Sequence, residues 1–199
     1  MCIVCTSSPI DSATIFLDCS NCTQIQTLPE SLPSLKFLII YDTGIQVVPS
    51  YPALEGLYMM NCPISSLPDL PKLTKLNATG SKLESIPDTL YRLQSLRIDN
   101  TPISVLPSTL ISATTISANG CNHLTEISSE LINLESLSIM NTNITSVPSL
   151  MSLQYINIGE TSIAELPITQ LPCLRKVFAK GCSLSDPFSI IDQGIDLTN

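Results

Sequence analysis

Leu93-Gln94-Ser95-Leu96-Arg97-Ile98-Asp99-Asn100-Thr101-Pro102-Ile103-Ser104-Val105-Leu106-Pro107 and Leu134-Glu135-Ser136-Leu137-Ser138-Ile139-Met140-Asn141-Thr142-Asn143-Ile144-Thr145-Ser146-Val147-Pro148 are copies of one segment. Both read L-x-x-[LI]-x-[LI]-x-x-[TC]-x-[IL]-x-x-[LV]-P. Nine copies align on the second apolar position, at Leu17, Leu38, Leu57, Leu76, Leu96, Ile116, Leu137, Ile156 and Val177. The steps between them are 21, 19, 19, 20, 20, 21, 19 and 21 residues. A unit this short cannot bury an apolar face alone, whereas stacked units share a continuous core.

The spacing inside each copy has a physical cause. Residues alternate inward and outward over two or three positions, as a short strand requires. Leu57 and Met59 point in, while Gly56, Tyr58 and Met60 point out. A small polar residue or Cys follows in a column: Cys22, Thr43, Cys62, Ser81, Thr101, Cys121, Thr142, Thr161, Cys182. A hydroxyl there can bond backbone groups in the turn that ends the strand. Next comes an inward aliphatic, Ile45, Ile64, Leu83, Ile103, Leu124, Ile144, Ile163 or Leu184. Then a Leu, Ile or Val closes the core, mostly followed by Pro at 29, 49, 68, 87, 107, 148 and 167. Proline removes a helix donor, and the stretch to the next Leu is too short for a stable helix.

The period and motif resemble the leucine-rich repeat over roughly residues 14–188. The link Leu67-Pro68-Asp69-Leu70-Pro71-Lys72-Leu73 is similar to the short repeats of bacterial effector-type proteins of that family. The 21-residue copies look closer to its cytosolic signalling type, and Thr and Cys stand where Asn is the family's usual turn residue. The resemblance implies a mostly β, α/β-type repeat solenoid, curved and right-handed. Its concave face would be a parallel sheet and its convex side extended or 3₁₀. The expected organisation is one continuous domain: an N-terminal cap at 1–13, nine repeats at 14–188 and a C-terminal cap at 189–199. Terminal coils expose a core edge and need covering. Ile3, Val4 and Ile10 at one end, and Phe188, Ile190, Ile191, Ile195 and Leu197 at the other, predict short irregular caps.

Net charge is −8, from nine Lys plus Arg against 17 Asp plus Glu. The cations are scattered, with no cluster to neutralise successive phosphates, so nucleic-acid binding is disfavoured. Charged residues are only 13% of the chain, about half the usual share. Ser, Thr, Asn, Gln and Tyr fill the surface instead, which protects less against association. There is no run of 18 apolar residues and no basic-then-apolar start, so neither a membrane span nor a signal peptide is expected. An intracellular, cytoplasmic residence or a place within a virion is the expectation.

Cys2-x-x-Cys5 with Cys19-x-x-Cys22 has the form of a paired zinc knuckle. The repeat explains the second pair without metal, since Cys19 holds an inward strand position and Cys22 a turn position. Cys2 and Cys5 have no repeat role. Structural thiols are the favoured reading, with no metal and no cofactor. The lone His123 sits at a one-residue insertion in the sixth repeat and is expected to bulge outward with Asn122. No phosphate loop and no activated nucleophile is visible, so no catalytic residue is assigned. Ala78, Ala118 and Ala179 accompany Gly80, Gly120 and Gly181, where other repeats carry a large apolar residue and Asn, Asp or Glu.

Stacked strands set their outward residues in columns about 4.8 Å apart. The columns bring Phe37, Ile39, Tyr41, Tyr58 and Met60 into one patch over repeats two and three. Exposed contiguous apolar surface of this kind marks contact sites, and Tyr and Met are enriched in interfaces. Arg97, Asp99, Met140 and Tyr155 extend the candidate partner-binding face. The expected function is a non-catalytic protein–protein interaction or scaffold module. A structural subunit of a larger assembly such as a virion is the alternative, and a secreted bacterial effector a further one. The partner is another protein, with self-association or incorporation into an assembly also open. The sixth repeat, with Ala113, Ala118 and Ser128 where Leu, a large aliphatic and Pro are usual, is the expected weak link.

Overall fold

The computed structural model describes residues 10–198. Each repeat contributes one three-residue strand: β1 Phe16–Asp18, β2 Phe37–Ile39, β3 Gly56–Tyr58, β4 Lys75–Asn77, β5 Ser95–Arg97, β6 Thr115–Ser117, β7 Ser136–Ser138, β8 Tyr155–Asn157 and β9 Lys176–Phe178. A short helix, α1 Phe188–Asp192, and a tenth strand, β10 Asp196–Thr198, complete the order. All ten strands form one parallel sheet in chain order, β1 to β10. The register never slips. Leu17 pairs Leu38, which pairs Leu57, and so on to Val177 and Leu197. A one-residue slip would turn every inward Leu to solvent, so the alternation itself holds the register.

The ladder continues past the strands. Cys19 N donates to Ile39 O at 2.8 Å and Asn21 N to Tyr41 O at 2.9 Å, and the later coils repeat both bonds. On the far side of each coil the chain is extended or turned. Leu32, Tyr51, Leu70, Leu90, Leu110, Leu131, Leu150 and Leu171 each begin a turn closed by a bond from the backbone N three residues on, such as Leu35 N to Leu32 O at 3.1 Å. One such segment, Ile168–Gln170, is 3₁₀. Inward Leu, Ile and Val from every coil join in one cluster. Tyr51 is fully buried where the other coils place Leu, and its hydroxyl donates to Pro29 O at 2.6 Å.

The Thr/Cys column forms a hydrogen-bonded ladder. Thr43 Oγ1 donates to Ile40 O at 2.7 Å, and Cys62 Sγ of the next coil donates to the same oxygen at 2.8 Å. Thr101 and Cys121 share Ile98 O in the same way, at 2.7 and 3.0 Å. Thr161 and Cys182 share Ile158 O, at 2.6 and 2.8 Å. A carbonyl has two lone pairs, and at these three junctions one hydroxyl and one thiol share them.

The residue before that column is left-handed in every coil. Asn21, Asp42, Asn61, Gly80, Asn100, Gly120, Asn141, Glu160 and Gly181 have φ between 51° and 77°. Asn, Asp and Gly tolerate that region, which explains most of the occupants. Gly appears where the preceding coil's side chain leans across. A Cβ on Gly80 would meet Asn61 Oδ1, one on Gly120 would meet Asn100 Oδ1, and one on Gly181 would stand 2.6 Å from the Glu160 carboxylate. Nothing in the structure explains why those glycines accompany Ala78, Ala118 and Ala179.

The C-terminal segment differs from the irregular cap expected of it. α1 leads through Gly194, at φ 74°, into β10, which extends the sheet beside β9. Ile190 and Ile195 close the core edge, but Phe188 and Ile191 stand 72% and 53% exposed. Ile10 packs against the core at the other end. The rest of the expected N-terminal cap, including Ile3, Val4, Cys2 and Cys5, lies outside the described residues. No helix among the described residues is long and apolar enough to cross a membrane. In the sixth repeat Ala113 and Ala118 are fully buried, and Asn122 and His123 are exposed.

Candidate functional site

The outward residues of the sheet form three columns fixed by the constant register. One runs Phe16, Phe37, Gly56, Lys75, Ser95, Thr115, Ser136, Tyr155, Lys176, Asp196. The second runs Asp18, Ile39, Tyr58, Asn77, Arg97, Ser117, Ser138, Asn157, Phe178, Thr198. The third, two residues further along, holds Tyr41, Met60, Asp99, Asn119, Met140, Gly159 and Lys180.

Phe37, Ile39, Tyr41, Tyr58 and Met60 lie together at the β2–β3 end, all half-buried. Gly56 makes this possible. A Cβ on it would stand 2.8 Å from Phe37 Cδ1 and 3.4 Å from Tyr58 Cε2, so both rings close over the glycine. Met140 repeats the arrangement two thirds of the way along. Its Cε stands 3.4 Å from where a Cβ of Gly159 would be. Both glycines are buried beneath side chains of the preceding coil.

The middle of the face is polar and internally bonded. Asp99 Oδ1 accepts from Ser117 Oγ and from Asn119 N, each at 2.7 Å. Asn119 Oδ1 accepts from Ser138 Oγ at 2.7 Å and from Met140 N at 2.8 Å. Asn119 Nδ2 donates to Ser117 Oγ at 3.1 Å. Asp99, a candidate contact residue, thus spends one carboxylate oxygen bracing the next coil. Arg97 projects into solvent beside it, and Lys75 is exposed one strand away.

At the β7–β9 end, Tyr155 and Phe178 wall a shallow cavity of about 130 Å³ with Ser136, Ser138 and Asn157. Lys176 Nζ lies 4.9 Å from the Phe178 ring centroid and 2.8 Å from Asp196 Oδ2. Tyr155 is one of the candidate partner-binding residues, and the cavity partners Phe178 and Asn157 are not. Their signal is present in the sequence, since they stand in the same column as Tyr58. Of the nine candidate residues, five meet at the β2–β3 end. Arg97, Asp99, Met140 and Tyr155 are spread over the next five strands.

Charge divides between the faces. The three columns carry Lys75, Arg97, Lys176 and Lys180 against Asp18, Asp99 and Asp196, which leaves five basic and fourteen acidic residues elsewhere. Among the described residues no group of three His, Cys, Asp or Glu side chains is placed to hold a metal ion. Cys62, Cys121, Cys173 and Cys182 are thiols.

No protein-family model matches the sequence, and no curated protein matches it. Solved structures do match. The leucine-rich effector YopM from Yersinia pestis superposes with a TM-score of 0.73 at 27% identity, covering 84% of this chain and 49% of that one. The leucine-rich-repeat protein LIC12759 from Leptospira interrogans gives 0.68 at 19%, covering 92% and 60%. The functional domain of InlJ from Listeria monocytogenes, which includes a cysteine ladder, gives 0.65 at 21%, covering 84% and 44%. This chain therefore spans about half the length of the structures it matches. These are likenesses of fold. In this chain the ladder is mixed, with thiols and hydroxyls on shared carbonyls. Nine stacked coils, one unbroken parallel register and these superpositions have a single reading: the chain has the leucine-rich-repeat fold.

Proposed function

We propose that the chain is a non-catalytic protein-binding module that takes its partner on the concave face over β2 and β3. The observation that carries this is the closure of the Phe37 and Tyr58 rings over Gly56. It gives a flat, rigid apolar platform, with Ile39, Tyr41 and Met60 around it. Aromatic residues with restricted rotamers lose little entropy on docking, which is why they dominate interface energetics. The platform lies on the face that is least acidic, so a partner with apolar anchors and an acidic group near Lys75 and Arg97 fits it. Complementary charge there would steer encounter more than it would add affinity.

A second reading, a subunit held in a larger assembly, is favoured by the 13% content of charged residues. Crosslinking in the native source followed by mass spectrometry distinguishes them. A distinct partner crosslinked near β2 and β3 supports the module, and copies of this chain or shell proteins support the assembly. Replacing Tyr41 and Tyr58 together by Ser should leave the circular dichroism spectrum unchanged and release the partner. A folded double variant that keeps its partner at unchanged affinity rules the platform out.

A further inference from the structure

The turn that leads each coil back into the sheet carries an observation the concave face does not use. Its first central residue is Pro33, Pro52, Pro71, Tyr91, Ile111, Ile132, Met151 and Pro172 in successive coils. All eight are exposed. Proline there follows from turn chemistry, because its fixed φ suits the second position of a β-turn. That reason does not extend to Tyr, Ile, Ile and Met. Tyr91, Ile111, Ile132 and Met151 occupy four consecutive coils and are 46%, 50%, 53% and 54% exposed. Stacking makes them an apolar stripe along one edge of the solenoid, continued at both ends by proline rings.

We infer that this edge is a self-association surface, on which a second copy of the chain docks in two-fold, antiparallel fashion. Three features select a second copy. The stripe is close to symmetric about its centre, so a two-fold axis between Ile111 and Ile132 sets each Ile on its counterpart and Tyr91 on Met151. Methionine sulfur against an aromatic ring is a favourable contact. The rim beside the four residues, Thr89, Arg92, Thr109, Ser112, Glu130, Asn133, Ser149 and Ser152, holds one charge of each sign. The axis opposes Arg92 to Ser152 and Glu130 to Thr109, so no like charges meet. The area suits a weak dimer: the axis sets Pro71 on Pro172 at the ends, and five steps of strand spacing by two rim widths is roughly 500 Å² per copy, below the roughly 800 Å² that stable complexes bury. Self-complementarity of one patch is what a two-fold interface requires.

The surface is separate from the concave platform, so its test does not depend on that reading. Sedimentation velocity of the full chain from micromolar to near-millimolar concentration should show a monomer–dimer equilibrium. Ile111→Ser with Ile132→Ser should weaken it by roughly tenfold or more, because each change acts twice across a two-fold contact. Both side chains are half-exposed, so the thermal midpoint should hardly move, and Tyr41→Ser with Tyr58→Ser should leave the dimer unaltered. In a mixture of chains carrying either Ile111→Cys or Ile132→Cys, oxidation should link position 111 of one copy to 132 of the other. The inference is overturned if the unmodified chain stays monomeric throughout, which would leave the stripe to some other partner. It is equally overturned if a dimer persists unchanged in the double Ser variant, or if oxidation links only 111 to 111 and 132 to 132.

Discussion

The ring of Phe37 lies where a side chain on Gly56 would have to stand. The apolar platform thus depends on a missing atom as much as on the aromatics. Gly56→Ala should displace the ring and cost about 1–3 kcal/mol, as overpacking does. In a Phe37→Ala background the same change should cost little. Urea unfolding of the four chains gives the coupling, and additive costs would show that the ring does not lean on Gly56.

Thr101 and Cys121 share one acceptor, the Ile98 carbonyl. Losing either donor leaves that oxygen bonded, and losing both leaves a buried carbonyl unsatisfied. Thr101→Val and Cys121→Ala should therefore destabilise together by about 1 kcal/mol more than the sum of their separate effects. A cycle that closes to zero would show that the ladder is packing rather than hydrogen bonding.

Glu160 holds a left-handed backbone, φ 57°, at a position otherwise filled by Asn, Asp or Gly. That conformation costs a residue with a Cβ about 1–2 kcal/mol, and Asn tolerates it better. Glu160→Asn should raise the unfolding midpoint, with a side chain able to lie over Gly181 as Asn61 lies over Gly80. A lowered midpoint would mean the carboxylate contributes more than the strain removes.

Burial holds the Tyr51 phenol well above its ordinary value of 10.0, with Cys19 adding to the effect. The folded state keeps this proton after the unfolded chain has begun to release it. The contribution is complete below pH 10 and is lost as pH climbs above it. Tyr51→Phe loses the bond to Pro29 O, at a cost of about 1 kcal/mol at neutral pH. It should also fall less steeply between neutral pH and strongly alkaline solution. Parallel stability-versus-pH curves for the two chains would contradict the assignment.

Thr109 Oγ1 is buried without a hydrogen-bond partner just before the turn that leads into the sixth repeat. Thr109→Val should stabilise the chain by about 1 kcal/mol, since an unpaired buried hydroxyl is removed. Hydrogen exchange should find that repeat opening first, with Ala113 and Ala118 giving it little apolar contact. Protection equal to that of the fifth and seventh repeats would refute this.

The solenoid was legible because its two periods are carried by residue type. Every strand centre from Leu17 to Val177 could be assigned from the twenty-residue step, and the outward columns followed from alternation. The tail was not, because α1 breaks the repeat and β10 keeps only one of its signals, Leu197 twenty residues after Val177. Nor was the bracing role of Asp99, which depends on Ser117 and Asn119 standing beside it in the next coil. The left-handed column hid for a simpler reason. Its Asn, Asp and Gly occupants are turn residues, but Glu160 breaks the pattern. Phe178 and Asn157 stood in the right column, yet their cavity also needs Tyr155, Ser136 and Ser138 from the neighbouring positions.

The unshifted register has an outcome for the molecule's history. Because each strand meets its neighbour at the same three positions, an internal coil touches only copies of its own kind. Duplicating or deleting one whole coil would lengthen or shorten the molecule by about 4.8 Å without shifting the register of any other strand. Size is then a setting rather than a property, and the distance between the aromatic groups at β3 and β8 is a ruler that unequal recombination could reset one notch at a time.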